Sequence, residues 1–126
     1  MADYRLSSTA EDQIDEILAW SEDNFGELTR ERYAALLVAA MEDVADHSRQ
    51  KAVVWKKVKS GTVGVYHVGD SRKRVPDPPG QIREARHSLI FRTGEDGVVD
   101  ILGFIHDRMS FDSALRRIAN ASLRDE

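Results

Sequence analysis

The chain contains no cysteine, which removes disulfides and thiolate metal ligands from consideration and fits a reducing compartment. Long apolar runs are missing too; none approaches the roughly 18 residues that a membrane-spanning helix needs. Met1-Ala2-Asp3-Tyr4-Arg5 lacks the basic-then-apolar order of a secretory signal, so the expected location is the cytoplasm. No phosphate-cradling loop is present, because Gly61-Thr62-Val63-Gly64 lacks the Lys-Ser/Thr ending. The four histidines have no HxxxH spacing and no acid pair to complete a site, so the sequence predicts neither a metal ion nor a cofactor. Only three prolines occur, all between positions 76 and 79.

What is present suffices for a core. Of 126 residues, 41% are hydrophobic and 32% charged, which fits a single domain spanning residues 1–126. The net charge of −4 is unevenly spread: positions 1–50 hold four basic and twelve acidic residues, positions 51–126 fourteen and ten. Such a division suggests surfaces that meet different partners, although two helices with acidic solvent faces account for it equally well.

Tyr4-Arg5-Leu6 alternates as a short strand. Ser8-Thr9-Ala10-Glu11 has the form of a capping box, and Ala10, Ile14, Ile17 and Leu18 then make one apolar stripe of a helix that Gly26 ends. Thr29 is placed to cap a second helix carrying Tyr33, Leu36, Leu37, Ala40, Met41 and Val44 on one face. The short link predicts an antiparallel helical hairpin. His47 to Gln50 reads as an exit loop, and the period then falls toward two: Thr62–Val68, Ala85–Thr93 and Val98–His106 read as strands. Gly94-Glu95-Asp96-Gly97 joins the last two as a hairpin. The Pro-rich stretch between Gly69 and Glu84 is expected to be a long loop with a mobile, basic tip at Arg72-Lys73-Arg74. Ser110 or Asp112 begins a terminal helix with Phe111, Leu115 and Ile118. The predicted fold class is α+β in two layers: an antiparallel sheet of three to four strands packed on an N-terminal αα-hairpin, in the order β-α-α-β-β-β, with a short C-terminal helix.

Three blocks then carry a resemblance. They are Tyr4-Arg5-Leu6-Ser7 with Ala10, Asp12, Ile14, Ile17, Trp20, Phe25-Gly26, Tyr33 and Leu37; Arg86-His87-Ser88-Leu89-Ile90-Phe91-Arg92; and Asp100-Ile101-Leu102-Gly103-Phe104-Ile105-His106-Asp107-Arg108-Met109. In this order they resemble the ParE toxins of the RelE/ParE superfamily, the toxins of plasmid-stabilisation type II toxin–antitoxin systems. The excursion from Gly69 to Glu84 and the lack of an arginine early in Gly61–Tyr66 depart from the family pattern. The resemblance implies a toxin that inhibits DNA gyrase by protein–protein contact, stabilises its cleaved-DNA state and is neutralised by a cognate ParD-like antitoxin. It implies no membrane partner and no sequence-specific contact with nucleic acid.

The residues themselves bear on one alternative, a RelE-like ribosome-dependent mRNA endonuclease. Such enzymes are similar in using a cluster of Lys and Arg with a tyrosine near the C-terminus. Here Lys56, Lys57, Lys59, Arg86 and Arg92 form a candidate basic patch, yet Tyr4, Tyr33 and Tyr66 are the only tyrosines and none is C-terminal. His106 is the remaining acid–base candidate. No catalytic residue is therefore assigned, and contact inhibition is preferred; a non-toxic binding protein derived from the family is a third reading. For target contact the expected segment is His106, Asp107, Arg108 and Met109, which follows an apolar strand. For the antitoxin the expected contacts are Trp20, Phe25 and Tyr33, aromatic side chains suited to anchoring a partner helix.

Overall fold

The computed structural model describes residues 3–124. The elements in order are β1 (Tyr4–Leu6), α1 (Ser8–Phe25), α2 (Glu27–Ala45), β2 (Val54–Val58), β3 (Gly61–His67), β4 (His87–Thr93), β5 (Val99–His106) and α3 (Phe111–Arg124). Short 3-10 segments cover His47–Ala52 and Val68–Arg74. The α+β class holds, but four strands and not three follow the hairpin, and the sheet has five strands in the order β1-β5-β4-β3-β2. It is mixed: β1 runs parallel to β5, with Arg5 opposite Asp100, while all other pairs are antiparallel. The Arg5 guanidinium bridges Asp96 and Asp100 at 2.7 Å each and holds the Asp96 carboxyl below the usual carboxylate range.

Nor are there only two layers. Residues such as Leu36, Leu37, Val44, Tyr66, Leu89, Phe91 and Phe104 form a core between the hairpin and one sheet face. On the opposite face Val63, Ile90, Leu102 and Ile105 pack against Ala114, Leu115 and Ile118 of α3. The terminal helix is thus a third layer, amphipathic because it has a sheet to cover.

Several local expectations shift by a residue or more. Ser7, not Ser8, caps α1: its Oγ accepts the Ala10 N–H at 3.0 Å and donates to the Leu102 carbonyl. Gly26, at φ 93°, both ends α1 and precedes α2, a backbone state that strongly favours glycine. Thr29 lies inside α2 and donates to the Phe25 carbonyl instead of capping. The stretch around Lys56 is an edge strand whose lysines discourage pairing with other sheets. Across it, Trp55 and Phe91 pack edge to face at 5.4 Å over Gly64, where a Cβ would stand 2.4 Å from the Phe91 ring.

The basic tip is pinned, not mobile. Asp43, buried on α2, accepts from Ser71 Oγ (2.6 Å), Arg74 Nε (2.7 Å) and Arg49 (3.3 Å), and Tyr66 extends the chain by bonding Ser71 Oγ. Arg72 donates to the Arg83 carbonyl, closing the excursion on itself. A carboxylate so well surrounded accounts for a charge inside the apolar stripe of α2.

Candidate functional site

A groove of about 1110 Å³ opens between the C-terminal half of α1, the start of α2, residues 82–86, and the ends of β4 and β5. One wall is aromatic. Around α1, Trp20 lies about 160° from Leu18 and about 60° beyond Ile17, at the outer rim of the stripe that packs on the core. Trp20 is 57% exposed and Phe25 65%, and their rings meet edge to face at 5.6 Å. Exposed aromatic pairs of this kind usually await a partner.

The other end is polar. Tyr33 is buried, only 4% exposed, on the groove floor. Its hydroxyl accepts the Arg86 backbone N–H at 3.1 Å and shares a 2.5 Å hydrogen bond with His87 Nδ1. Burial pushes the Tyr33 hydroxyl up to about 12. His87 is brought down to about 4, chiefly by burial and then by the neighbouring His106, so its ring is neutral near pH 7. The two imidazoles stand edge to face at 5.0 Å as a cross-strand pair of β4 and β5. The Asp107 N–H continues that ladder to the Arg86 carbonyl at 2.8 Å.

A β-bulge makes this pairing. From the hairpin turn the register runs Thr93↔Val99 to Phe91↔Ile101, then skips Leu102 and resumes at Ile90↔Gly103. Without the extra residue His87 would face Ile105, and His106 would point to the α3 side of the sheet. The bulge therefore re-aims a polar side chain into the groove.

The structure divides the four residues expected at the target surface. His106 and Arg108 line the groove. His106 Nδ1 accepts the Arg108 N–H at 3.0 Å. Asp107 accepts from His67 Nε2, 3.2 Å from each carboxylate oxygen, so its charge is spent on a neighbour. Met109 opens to a separate, smaller concavity beside α3, with Gln13 and Arg117. Trp20, Phe25 and Tyr33 do come together along the groove, the first two on its wall and Tyr33 on its floor.

The candidate basic patch is scattered. Lys56 sits 5.2 Å from the Phe111 ring centroid on the α3 side, and Arg92 donates to Ser60 at 2.6 Å. Strand alternation puts Lys57 on the opposite face. Arg86 lies at the far end of β4, paired with Glu84 and lining the groove. Groove residues that sequence reasoning missed are Arg83, Arg32, Glu16 and Ile82. Only the fold of the 69–84 excursion brings Arg83 and Ile82 to the hairpin, and no periodicity signals that. Among the described residues no group of three His, Cys, Asp or Glu could hold a metal ion.

With this geometry in hand, the family comparison is decisive: the family model described as the ParE toxin of the type II toxin–antitoxin system parDE matches residues 4–111. The chain belongs to the ParE toxin family. No curated protein sequence matches it significantly. The match runs from β1 to the first residue of α3 and so takes in both strands that build the His87–His106 pair. A ParE toxin is one half of a toxin–antitoxin system, so membership supports a toxin role and implies an antitoxin partner. No helix among the described residues is long and apolar enough to cross a membrane.

Proposed function

We propose that this ParE toxin acts in the cytoplasm as a contact inhibitor of DNA gyrase and is silenced by a ParD-like antitoxin seated in the groove between α1 and the strand ends. The observation that carries the reading is the juxtaposition along one groove of exposed Trp20 and Phe25 with His106 and Arg108. An amphipathic antitoxin helix would bury the two aromatic rings, and the same helix would cover the polar end. Neutralisation then follows from occupancy: the antitoxin hides the residues offered to the target. No acid–base group is required, because a poison that stabilises another enzyme's cleaved-DNA state needs only affinity for that state.

The test is a supercoiling and cleavage-complex assay with purified toxin and gyrase, with and without antitoxin. Inhibition with trapped cleaved DNA, relieved by antitoxin and weakened by Arg108→Ala, is expected. Unchanged gyrase at excess toxin, together with codon-spaced cuts in translated mRNA, would replace the reading with a ribosome-dependent nuclease.

A further inference from the structure

The groove runs against the charge of the molecule. The chain carries a net −4, yet the groove lining includes four arginines, at 32, 83, 86 and 108, and two glutamates, at 16 and 84. Arg32 donates to the Pro79 carbonyl and Arg86 pairs with Glu84. For the guanidinium of Arg108 the described residues provide no hydrogen-bond or ion-pair partner. Beside it, the tautomer of His106 is set by its surroundings. A backbone N–H can only donate, so the Arg108 N–H fixes Nδ1 of His106 as an acceptor and leaves the ring proton of the neutral form on Nε2. His67 is fixed the same way by the Gly69 N–H but delivers its Nε2 proton to Asp107. His106 has no such acceptor among the described residues. One end of the groove therefore presents an N–H and a guanidinium without an anion, and the other presents two open aromatic rings.

We propose that this groove binds a short single-stranded nucleic-acid segment, its phosphodiester oxygens held by Arg108 and the His106 Nε2–H and a base stacked on Trp20 and Phe25. The chemistry matches at both ends: arginine and a neutral imidazole donate to phosphate oxygens, and aromatic faces accept any base without reading its sequence. The volume of about 1110 Å³ is ample for one or two nucleotides. The cross-strand frame of β4 and β5 fixes the backbone of Arg86, His87 and His106 before any ligand arrives, so the ordering that binding requires is confined to the Arg108 side chain and the exposed rings. Sequence-independent contact of this kind is compatible with action on gyrase but does not depend on it.

The experiment uses the free, full-length toxin and two fluorescein-labelled probes, oligothymidylate and oligouridylate of about 12 nucleotides, read by anisotropy across a salt series. Half-saturation on the order of 10 µM at low salt is expected, falling as salt rises. Arg108→Glu should weaken binding about tenfold and reduce the salt slope by about one, while Lys57→Glu on the remote edge strand leaves it unchanged. Trp20→Ala should cost about tenfold through lost stacking. Circular dichroism melts of each variant separate binding loss from unfolding, and Trp20 quenching in a Trp55→Phe background provides a second readout. A preference for one probe identifies DNA or RNA as the source, and either supports the proposal. Absence of binding, an equal loss in Lys57→Glu, or tighter binding of a Glu-rich peptide of similar length would overturn it, the last by assigning the groove to an acidic polypeptide. None of these failures touches the gyrase reading, which requires only protein contact.

Discussion

The two helices of the N-terminal hairpin are nearly equal in length, 18 and 19 residues, yet they are used in opposite ways. Along α2 nine residues are fully buried, from Tyr33 to Ala45. Along α1 only Ala10 and Ser21 are, and its large apolar side chains are half-covered or, at Trp20 and Phe25, open. The difference comes from position: α2 lies across the sheet and the 68–74 segment, whereas α1 leans on β5 and on α2 from outside. Past its first turn, α2 commits most of its surface to the core and leaves only a narrow exposed stripe at Glu31, Val38 and Glu42. An outer helix keeps a free wall, and that wall is where this toxin offers its aromatic rings.

Substitutions should separate the two helices cleanly. Leu36→Ala, at a fully buried α2 position, should cost about 4 kcal/mol in denaturant unfolding, against about 1 kcal/mol for Ile17→Ala on α1. Similar losses for both would erase the contrast. The Tyr33–His87 contact extends the commitment of α2 into pH dependence. The folded pKa of His87 is about 4 against 6.5 in an unfolded chain, with His106, His67 and Asp107 as its titratable neighbours. Above pH 6.5 its contribution is complete; between pH 6.5 and 4 the unfolded chain takes a proton that the folded ring refuses. Stability should fall by up to about 3 kcal/mol over that window, and His87→Gln should flatten this part of the curve. A wild-type and variant curve of the same slope would remove His87 as the cause.

A smaller effect is expected at Asp43. Asp43→Asn keeps the shape but loses the charge that gathers Ser71, Arg74 and Arg49, costing about 2 kcal/mol and freeing the 69–84 segment to proteolysis. Resistance to protease equal to wild type would show that the excursion is held elsewhere. Smallest for stability is Trp20→Ala on α1, within about 0.5 kcal/mol of wild type. Its effect should appear in antitoxin affinity instead, lowered at least about tenfold by calorimetric titration. A large drop in melting temperature would place Trp20 in the core and close the free wall.

How much of this was legible depends on whether the signal is local. The apolar stripes of α1 and α2, the Gly26 break and the Gly94–Gly97 turn (with Gly94 N–H to Val98 O at 2.8 Å) depend on neighbours in sequence and could be read directly. The edge strand could not, because Val54, Lys56 and Val58 alternate against a face that only α3 defines, and α3 lies more than 50 residues away. The parallel place of β1 beside β5 has no sequence spacing to announce it. The site shows the same limit. Trp20 could be singled out by its angle on the helix, but the His87–His106 pair depends on one skipped residue at Leu102, in a strand whose apolar run hides the bulge. Arg72 to Arg74 read as a loose tip because Asp43, their anchor, is far along the chain and sits among apolar neighbours.

The parallel pairing of β1 with β5 also sets a clock. Arg5 meets Asp100 across 95 positions of sequence, and His106 completes the groove only when β5 has emerged. At about 5–20 residues per second, the N-terminal strand waits roughly 5–20 s on the ribosome for its partner. The nascent chain thus lacks a complete groove for most of its synthesis, and the groove closes only once β5 has docked beside β1.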